Sequence, residues 1–261
     1  EWLTHPAFTS FNTNGMWVGK FETSKSNDLP DNSINEDGVQ IKPNVISWSN
    51  IQAGNAFYTS YNYKREMDSH MMKNSEWGAA SYLQHSRYGS MTSVRINNNS
   101  NLFSGYASVF EPTCGWTNDN RDCNKYGTTS DITLSYNTET GYLASTTGNI
   151  TGIYDMSGGT WEYVMGVMTD SNGNPLSGRN ASNHSGFTGS FGEGGNLESG
   201  LSWPEEKYYD KYSYGTSYSE FTRGHLGDAT VEMGPFKSII YGNNITRQIS
   251  SWHVDHGYFV N

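Results

Sequence analysis

The sequence predicts an α+β fold of two helices, short strands and long ordered loops. Apolar residues recur at helical spacing in two early stretches. Strand-like alternation and tight-turn residues surround them. Beyond Tyr88 no long helical stripe returns, only short apolar pieces between Gly, Asn, Ser and Thr. The composition agrees: charged residues make up only 16% of the chain and aromatics 14%, with 29 glycines and 18 tyrosines. Disorder needs few aromatics and high net charge, so this balance describes a loop-rich globule tied down by hydroxyls, amides and turns.

The elements follow in order. Residues 15–23 alternate Trp17, Gly19 and Phe21 against Val18, Lys20 and Glu22, as a strand does. A polar loop runs from Ser24 to Gly38. The first helix is expected over about 49–61, capped by Ser49 or Asn50, with Ile51, Ala53, Ala56, Phe57 and Tyr61 as a broken stripe. The second is expected over about 70–87, capped by Asn74 or Ser75, with Met72, Glu76, Trp77, Ala80 and Leu83 on one side. In residues 148–163 the strand-like Ile153 and Tyr154 enter a Ser-Gly-Gly turn and return through Trp161 and Tyr163. Asp155 and Glu162 flank that turn. Residues 170–200 are rich in Gly, Asn and Ser, and taken alone would suit a flexible linker.

Several function classes are excluded or narrowed by the bulk chemistry. A formal net charge of −10 leaves no basic patch to neutralise phosphates, which argues against nucleic acid. The same acidity suits cations, and equally a soluble exported surface. No run approaches the ~20 apolar residues that cross a bilayer. The chain starts at Glu1 and is read as a piece of a longer protein. Cys114 and Cys123, with eight residues between them, suit either a small disulfide-closed loop in an oxidising compartment or two free thiols. Five Asn-x-Ser/Thr sequons are what Asn-rich sequence generates by chance.

Residues 148–163, Gly-Asn-Ile-Thr-Gly-Ile-Tyr-Asp-Met-Ser-Gly-Gly-Thr-Trp-Glu-Tyr, closely resemble the Gly-Leu-Tyr-Asp-Met-x-Gly-Asn-Val-Trp-Glu-Trp signature of formylglycine-generating-enzyme-like domains. Gly-Met-Trp-Val-Gly-Lys-Phe-Glu-Thr at 15–23 resembles that family's first strand, Phe-Tyr-Ile-Gly-Lys-Tyr-Glu-Val-Thr. Glu76-Trp77 matches the Glu-Trp of its Arg-Leu-Pro-Thr-Glu-Ala-Glu-Trp helix, with Met-Met-Lys-Asn replacing Arg-Leu-Pro-Thr. The resemblance implies the C-type lectin fold, with both helices packed on a small twisted antiparallel sheet. On this resemblance residues 1–261 are expected to form one domain, with 170–200 as an inserted loop. Similar variants occur on surface-displayed bacterial proteins, some with pilin-like N-termini. Related lectin-fold domains terminate phage receptor-binding proteins and the variable proteins of diversity-generating retroelements.

The resemblance also implies a structural calcium ion held by Asp155, the carbonyls of Gly158 and Thr160, and Glu162. Calcium chemistry fits such a turn, since the ion takes six to eight oxygens and glycines let carbonyls face inward between two carboxylates. The plain alternative is a hairpin whose Asp and Glu cap turn amides. Asn118, Asp119, Asn120 and Asp122 form a second oxygen-rich set, but lack the Gly and Glu spacing of an EF-hand and read as a solvated loop tip. Enzymes of the resembled family bind copper through a C-terminal cysteine pair, after Arg-Gly-Gly-Ser-Trp and before Gly-Phe-Arg. Neither motif occurs here, and Cys114 and Cys123 precede the hairpin. A copper oxidase is therefore disfavoured and no catalytic residue is assigned. His253 and His256 on a strand would face opposite ways.

A binding surface has more support. Residues 203–221 carry Trp203, Tyr208, Tyr209, Tyr212, Tyr214 and Tyr218 among Ser, Gly and acids. Tyrosine offers contact area at low entropy cost and a hydroxyl for polar partners; it equally packs long loops. The expectation is a non-catalytic, extracellular recognition module of a bacterial appendage or phage particle. Its partner is a cell-surface glycan or protein receptor, and a second copy of the chain (a homo-oligomer) or appendage or virion neighbours are further partners. A structural pilus or virion subunit is the alternative.

Overall fold

The computed structural model describes residues 14–91, 94–109, 133–160, 162–169, 201–202 and 204–213, together with the backbone of six short strands elsewhere. The strands are β1 (Ser24–Lys25), β2 (Val39–Gln40), β3 (Tyr106–Ser108), β4 (Gly115–Thr117), β5 (Asn120–Asp122), β6 (Thr133–Ser135), β7 (Glu162–Val164), β8 (Gly166–Thr169), β9 (Phe187–Thr188), β10 (Leu201–Ser202), β11 (Asp210–Ser213), β12 (Met233–Gly234), β13 (His253–Val254) and β14 (Gly257–Phe259). The helices are α1 (Ala53–Tyr63) and α2 (Asn74–Tyr82). The chain is thus mixed α/β, with two helices among small sheets. In place of one antiparallel sheet, the described strands form two-stranded pairs: β1–β2, β3–β6 and β4–β5 antiparallel, and β7–β14, β8–β11, β9–β10 and β12–β13 parallel. Strands of two to four residues are too short to build longer ladders. Cys114, Cys123 and nearly all of 170–200 lie outside the described residues.

The expected strand over 15–23 is replaced by single contacts. Trp17 is 95% exposed, Phe21 is buried, and the Lys20 carbonyl accepts the Tyr154 N–H at 2.9 Å. Both helices start later than their stripes suggest. Asn50 is left-handed (φ 58°), which no α-helix tolerates, so α1 begins after it. Its start is anchored from a distant loop, where the Asn32 side-chain oxygen accepts the Gln52 N–H at 2.9 Å and the Asn55 amide at 2.7 Å. At the start of α2 the orphan amides are met by carboxylates: Glu76 accepts the Lys73 N–H at 2.9 Å, and Asp210 the Ser75 N–H at 2.7 Å. Neither Asn74 nor Ser75 occupies the capping position, because an acid 135 residues away in sequence reaches the amide first. Asp210→Ala is expected to cost about 1 kcal/mol of stability, the usual worth of a cap, read as a lower urea midpoint.

Three apolar clusters form the core. Ala53 and Phe57 of α1 meet Met165, Tyr208 and Tyr209. Trp77 and Ala80 of α2 meet Met156 and Val164. Phe21, Ala107, Ala144 and Tyr154 make the third. Residues 154–165 enter all three, so the glycine turn is held from every side. Among the described residues no helix is long and apolar enough to cross a membrane.

Candidate functional site

The turn is built by alternation. Tyr154 stacks on Phe21 with ring centroids 5.1 Å apart, and Met156 enters the Trp77 cluster on the other side. Burial pushes the Tyr154 hydroxyl up to about 12, so it stays a neutral donor to the Tyr136 carbonyl at 3.2 Å. Between them Asp155 is left-handed (φ 66°), a conformation that Asp and Asn adopt more readily than other side chains. Gly158 and Gly159 follow at φ 82° and 83°. The backbone of Asn97 brackets the turn, its N–H on the Ser157 carbonyl and its carbonyl receiving the Gly159 N–H, both at 2.8 Å.

Asp155 is buried, 1% exposed, and its carboxylate gathers three segments. The Asn97 side-chain amide donates to Oδ1 at 2.9 Å, the Gly105 N–H reaches both oxygens at 3.0 and 2.8 Å, and the Glu22 N–H donates as well. Glu22 turns its own carboxylate the other way. It accepts the Thr160 N–H at 3.0 Å and the Ser47 hydroxyl. Glu162, half-buried at the start of β7, accepts the Trp77 indole N–H. Burial pushes Asp155 above the ordinary carboxylate range against the pull of its donors. Burial likewise raises Glu162, and the Asp155 charge raises it further.

Glu22 links Asp155 to Thr160, donating its N–H to the one and accepting the N–H of the other, and the Asp155 charge is felt at Glu162. The Thr160 hydroxyl oxygen is buried with no hydrogen-bond partner. Among the described residues, none donates to the carbonyls of Gly158 or Thr160. These hard oxygens and the Glu162 carboxylate fit a calcium ion in kind. Asp155 fits less well as a direct ligand, since both of its oxygens already accept N–H groups. No group of three or more His, Cys, Asp or Glu is gathered for a metal among the described residues.

The tyrosines divide. Tyr208 and Tyr209 are only 5% and 8% exposed and belong to the α1 core, so their rings are unavailable to a ligand. Of the two uses the sequence left open for them, packing and binding, these two rings take the first: they cluster with Phe57 and Met165, and Tyr61 faces Tyr208. The Tyr208 hydroxyl is spent on Asp68 at 2.6 Å. Tyr212 is described only as backbone of β11, and Trp203, Tyr214 and Tyr218 lie outside the described residues.

Sequence reasoning missed Glu22, Asn97 and Gly105. Glu22 carried a signal, since it is the acid of Gly-Lys-Phe-Glu-Thr, the stretch that resembles the family's first strand. Asn97 sits in an Asn-Asn-Asn run that marks none of its members. No family model, curated protein or solved structure matches this chain. The functional reading therefore rests on the chain's own residues.

Gly158→Ala is expected to cost at least ~2 kcal/mol, from left-handed strain and a collision. An added Cβ would stand 2.3 Å from the Asn97 carbonyl oxygen, which as backbone cannot step aside cheaply. Thermal unfolding of the variant checks this.

Proposed function

We propose that this chain is a formylglycine-generating-enzyme-like domain of C-type lectin fold that recognises a ligand and catalyses nothing. In this reading residues 1–261 are one extracellular domain of a bacterial appendage or phage particle, and calcium at the glycine turn stabilises the scaffold. Its partner is a cell-surface glycan or protein receptor.

One observation carries the recognition reading: large apolar side chains stand exposed on loops and on the short 3₁₀ turn Gly141–Ala144, whose backbones are cross-tied. Tyr88, Met91, Leu143 and Ile150 are 65%, 56%, 36% and 41% exposed. The loops that bear them run side by side, with the Arg95 N–H on the Leu143 carbonyl at 2.7 Å and Ser90 packed against Gly148. The Asn149 side-chain oxygen accepts the Thr151 N–H at 2.8 Å, and the Met91 N–H reaches the Gln84 carbonyl at 3.1 Å. Fixed loops presenting apolar and aromatic groups are how a scaffold offers a contact surface. The Arg87 guanidinium over the Tyr88 ring, 4.8 Å from its centroid, adds a polar edge.

The test is binding of the labelled domain to a glycan array and to intact bacterial cells, in calcium and in EDTA. Selective, saturable binding that falls in Tyr88→Ala and Met91→Ala at unchanged melting temperature supports the reading. No binding by a folded domain favours a structural subunit. Calcium at a hundredfold excess over its dissociation constant is expected to add ~2.7 kcal/mol of stability, and EDTA to remove it. The stabilisation is expected to grow with pH. Carboxyls raised in the fold lend stability below their ordinary range, and it is lost as pH rises through the raised values. A cation offsets that loss.

A further inference from the structure

A second set of charges gathers where the α1–α2 connection meets residues 205–210. His70 lies in that connection. Its Nδ1 is 2.6 Å from the Asp68 carbonyl oxygen, and its Nε2 is 3.2 and 3.1 Å from the two Glu76 carboxylate oxygens. A carbonyl and a carboxylate only accept, so both contacts are hydrogen bonds only when both ring nitrogens donate. The imidazolium alone has two N–H groups.

The surroundings extend the contact. The ring lies against Tyr208, with centroids 5.3 Å apart. The Tyr208 hydroxyl donates to Asp68 Oδ1 at 2.6 Å, and Lys207 Nζ donates to the same oxygen at 3.0 Å. Glu76 is fixed in the first turn of α2 by the Lys73 N–H, and Lys73 Nζ stands 3.9 Å from its carboxylate. The charged and titratable groups around His70 are therefore Asp68 on its own connection, Lys73 and Glu76 at the start of α2, and Lys207 and Tyr208 beyond. Behind Tyr208, α1 contributes Tyr61, 5.5 Å ring to ring.

We propose that His70 is a charged clamp. As the imidazolium it ties the α1–α2 connection to the first turn of α2 and, through Asp68 and Tyr208, to the base of the tyrosine-rich stretch 203–221. Loss of its proton leaves a single ring N–H, so one of the two contacts is released and the tie loosens. The clamp stands whether or not the domain is a recognition module.

The electrostatics agree with the geometry. Burial pulls His70 down, but the hydrogen bond and charge of Glu76 outweigh it and hold the ring above its ordinary 6.5. Burial pushes Glu76 up, and the same ring outweighs that and holds it below its ordinary 4.5. The histidine contribution is fully present below 6.5 and lost as pH rises through its raised value. The glutamate contribution is present above 4.5 and lost as pH falls through its lowered value. The clamp is therefore tightest in mild acid.

The test is an NMR titration of the full chain with its histidine nitrogens labelled. The His70 signal is assigned through its backbone correlations and by its loss in His70→Gln. The expected result is a midpoint above 6.5 with both nitrogens protonated below it, shifted down in Glu76→Gln. Above the midpoint, amide exchange at Tyr208, Tyr209 and Asp210 is expected to rise by roughly fivefold to tenfold beyond base catalysis, about one net hydrogen bond. That excess is absent in His70→Gln. A wild-type midpoint at or below 6.5, or exchange that follows base catalysis alone, overturns the clamp. Both deciding readings come from the wild-type chain, so a misfolded variant leaves the test intact.

Discussion

Asp155→Ala is expected to be the most damaging single substitution at the glycine turn, and to leave little folded protein at 37 °C. The Asn97 amide and the N–H groups of Gly105 and Glu22 all lose their acceptor in a site closed to water. Orphaned buried donors cost ~1–3 kcal/mol each, and removing a desolvated charge returns part of that, so the net loss is about 3–5 kcal/mol. Marginal stabilities of about 5–15 kcal/mol make that a large fraction of the whole. Urea unfolding of wild type, Asp155→Ala and Asp155→Asn measures it. The asparagine variant keeps one acceptor and is expected to fall between the other two. It also removes the charge that raises Glu162, so its stability is expected to fall less steeply as pH rises than that of wild type. Equal stability of Asp155→Ala and wild type would remove the hub as an explanation of this turn.

Trp77→Ala is the second large effect. The indole is 1% exposed between Ala80, Met156 and Val164, and its N–H serves the Glu162 carboxylate. Truncation opens a cavity worth about 3–5 kcal/mol and strands a half-buried acid. Trp77→Phe separates the two contributions, since it keeps most of the volume and loses the donor. It is expected to cost about 1–3 kcal/mol, the worth of a hydrogen bond to a charged acceptor. If the phenylalanine variant matches wild type in urea, the indole–carboxylate bond carries no stability and the site is held by packing alone.

Both helices were legible because each presents apolar residues at helical spacing, and Ala53, Phe57, Trp77 and Ala80 do enter the core. Their starts were not. Asn32 and Asp210 meet the first amides from elsewhere, so a local search for caps at Ser49, Asn50, Asn74 or Ser75 looks in the wrong place. The glycine turn was legible from its two adjacent glycines, both left-handed, but its partners were scattered over 22, 97 and 105. The tyrosines at 208 and 209 illustrate the converse problem. An amphipathic ring suits a surface and a core equally, and only the neighbours decide between them.

By itself the sequence determined the mixed α/β class, the two helical stripes, the tight turn at Ser157–Gly159 and the pairing of acids around it. These are local matters of spacing and backbone freedom, written in consecutive residues. Tertiary structure alone decided that Asp155 is a hub for three donors, that Glu22 wraps the turn, that Tyr208 and Tyr209 are core, and that His70 faces two acceptors at once. The first three depend on residues tens of positions apart meeting in a water-poor site, and the last on how the α1–α2 connection folds His70 between Asp68 and Glu76. In such surroundings a carboxylate or an imidazole takes its role from the donors and acceptors around it.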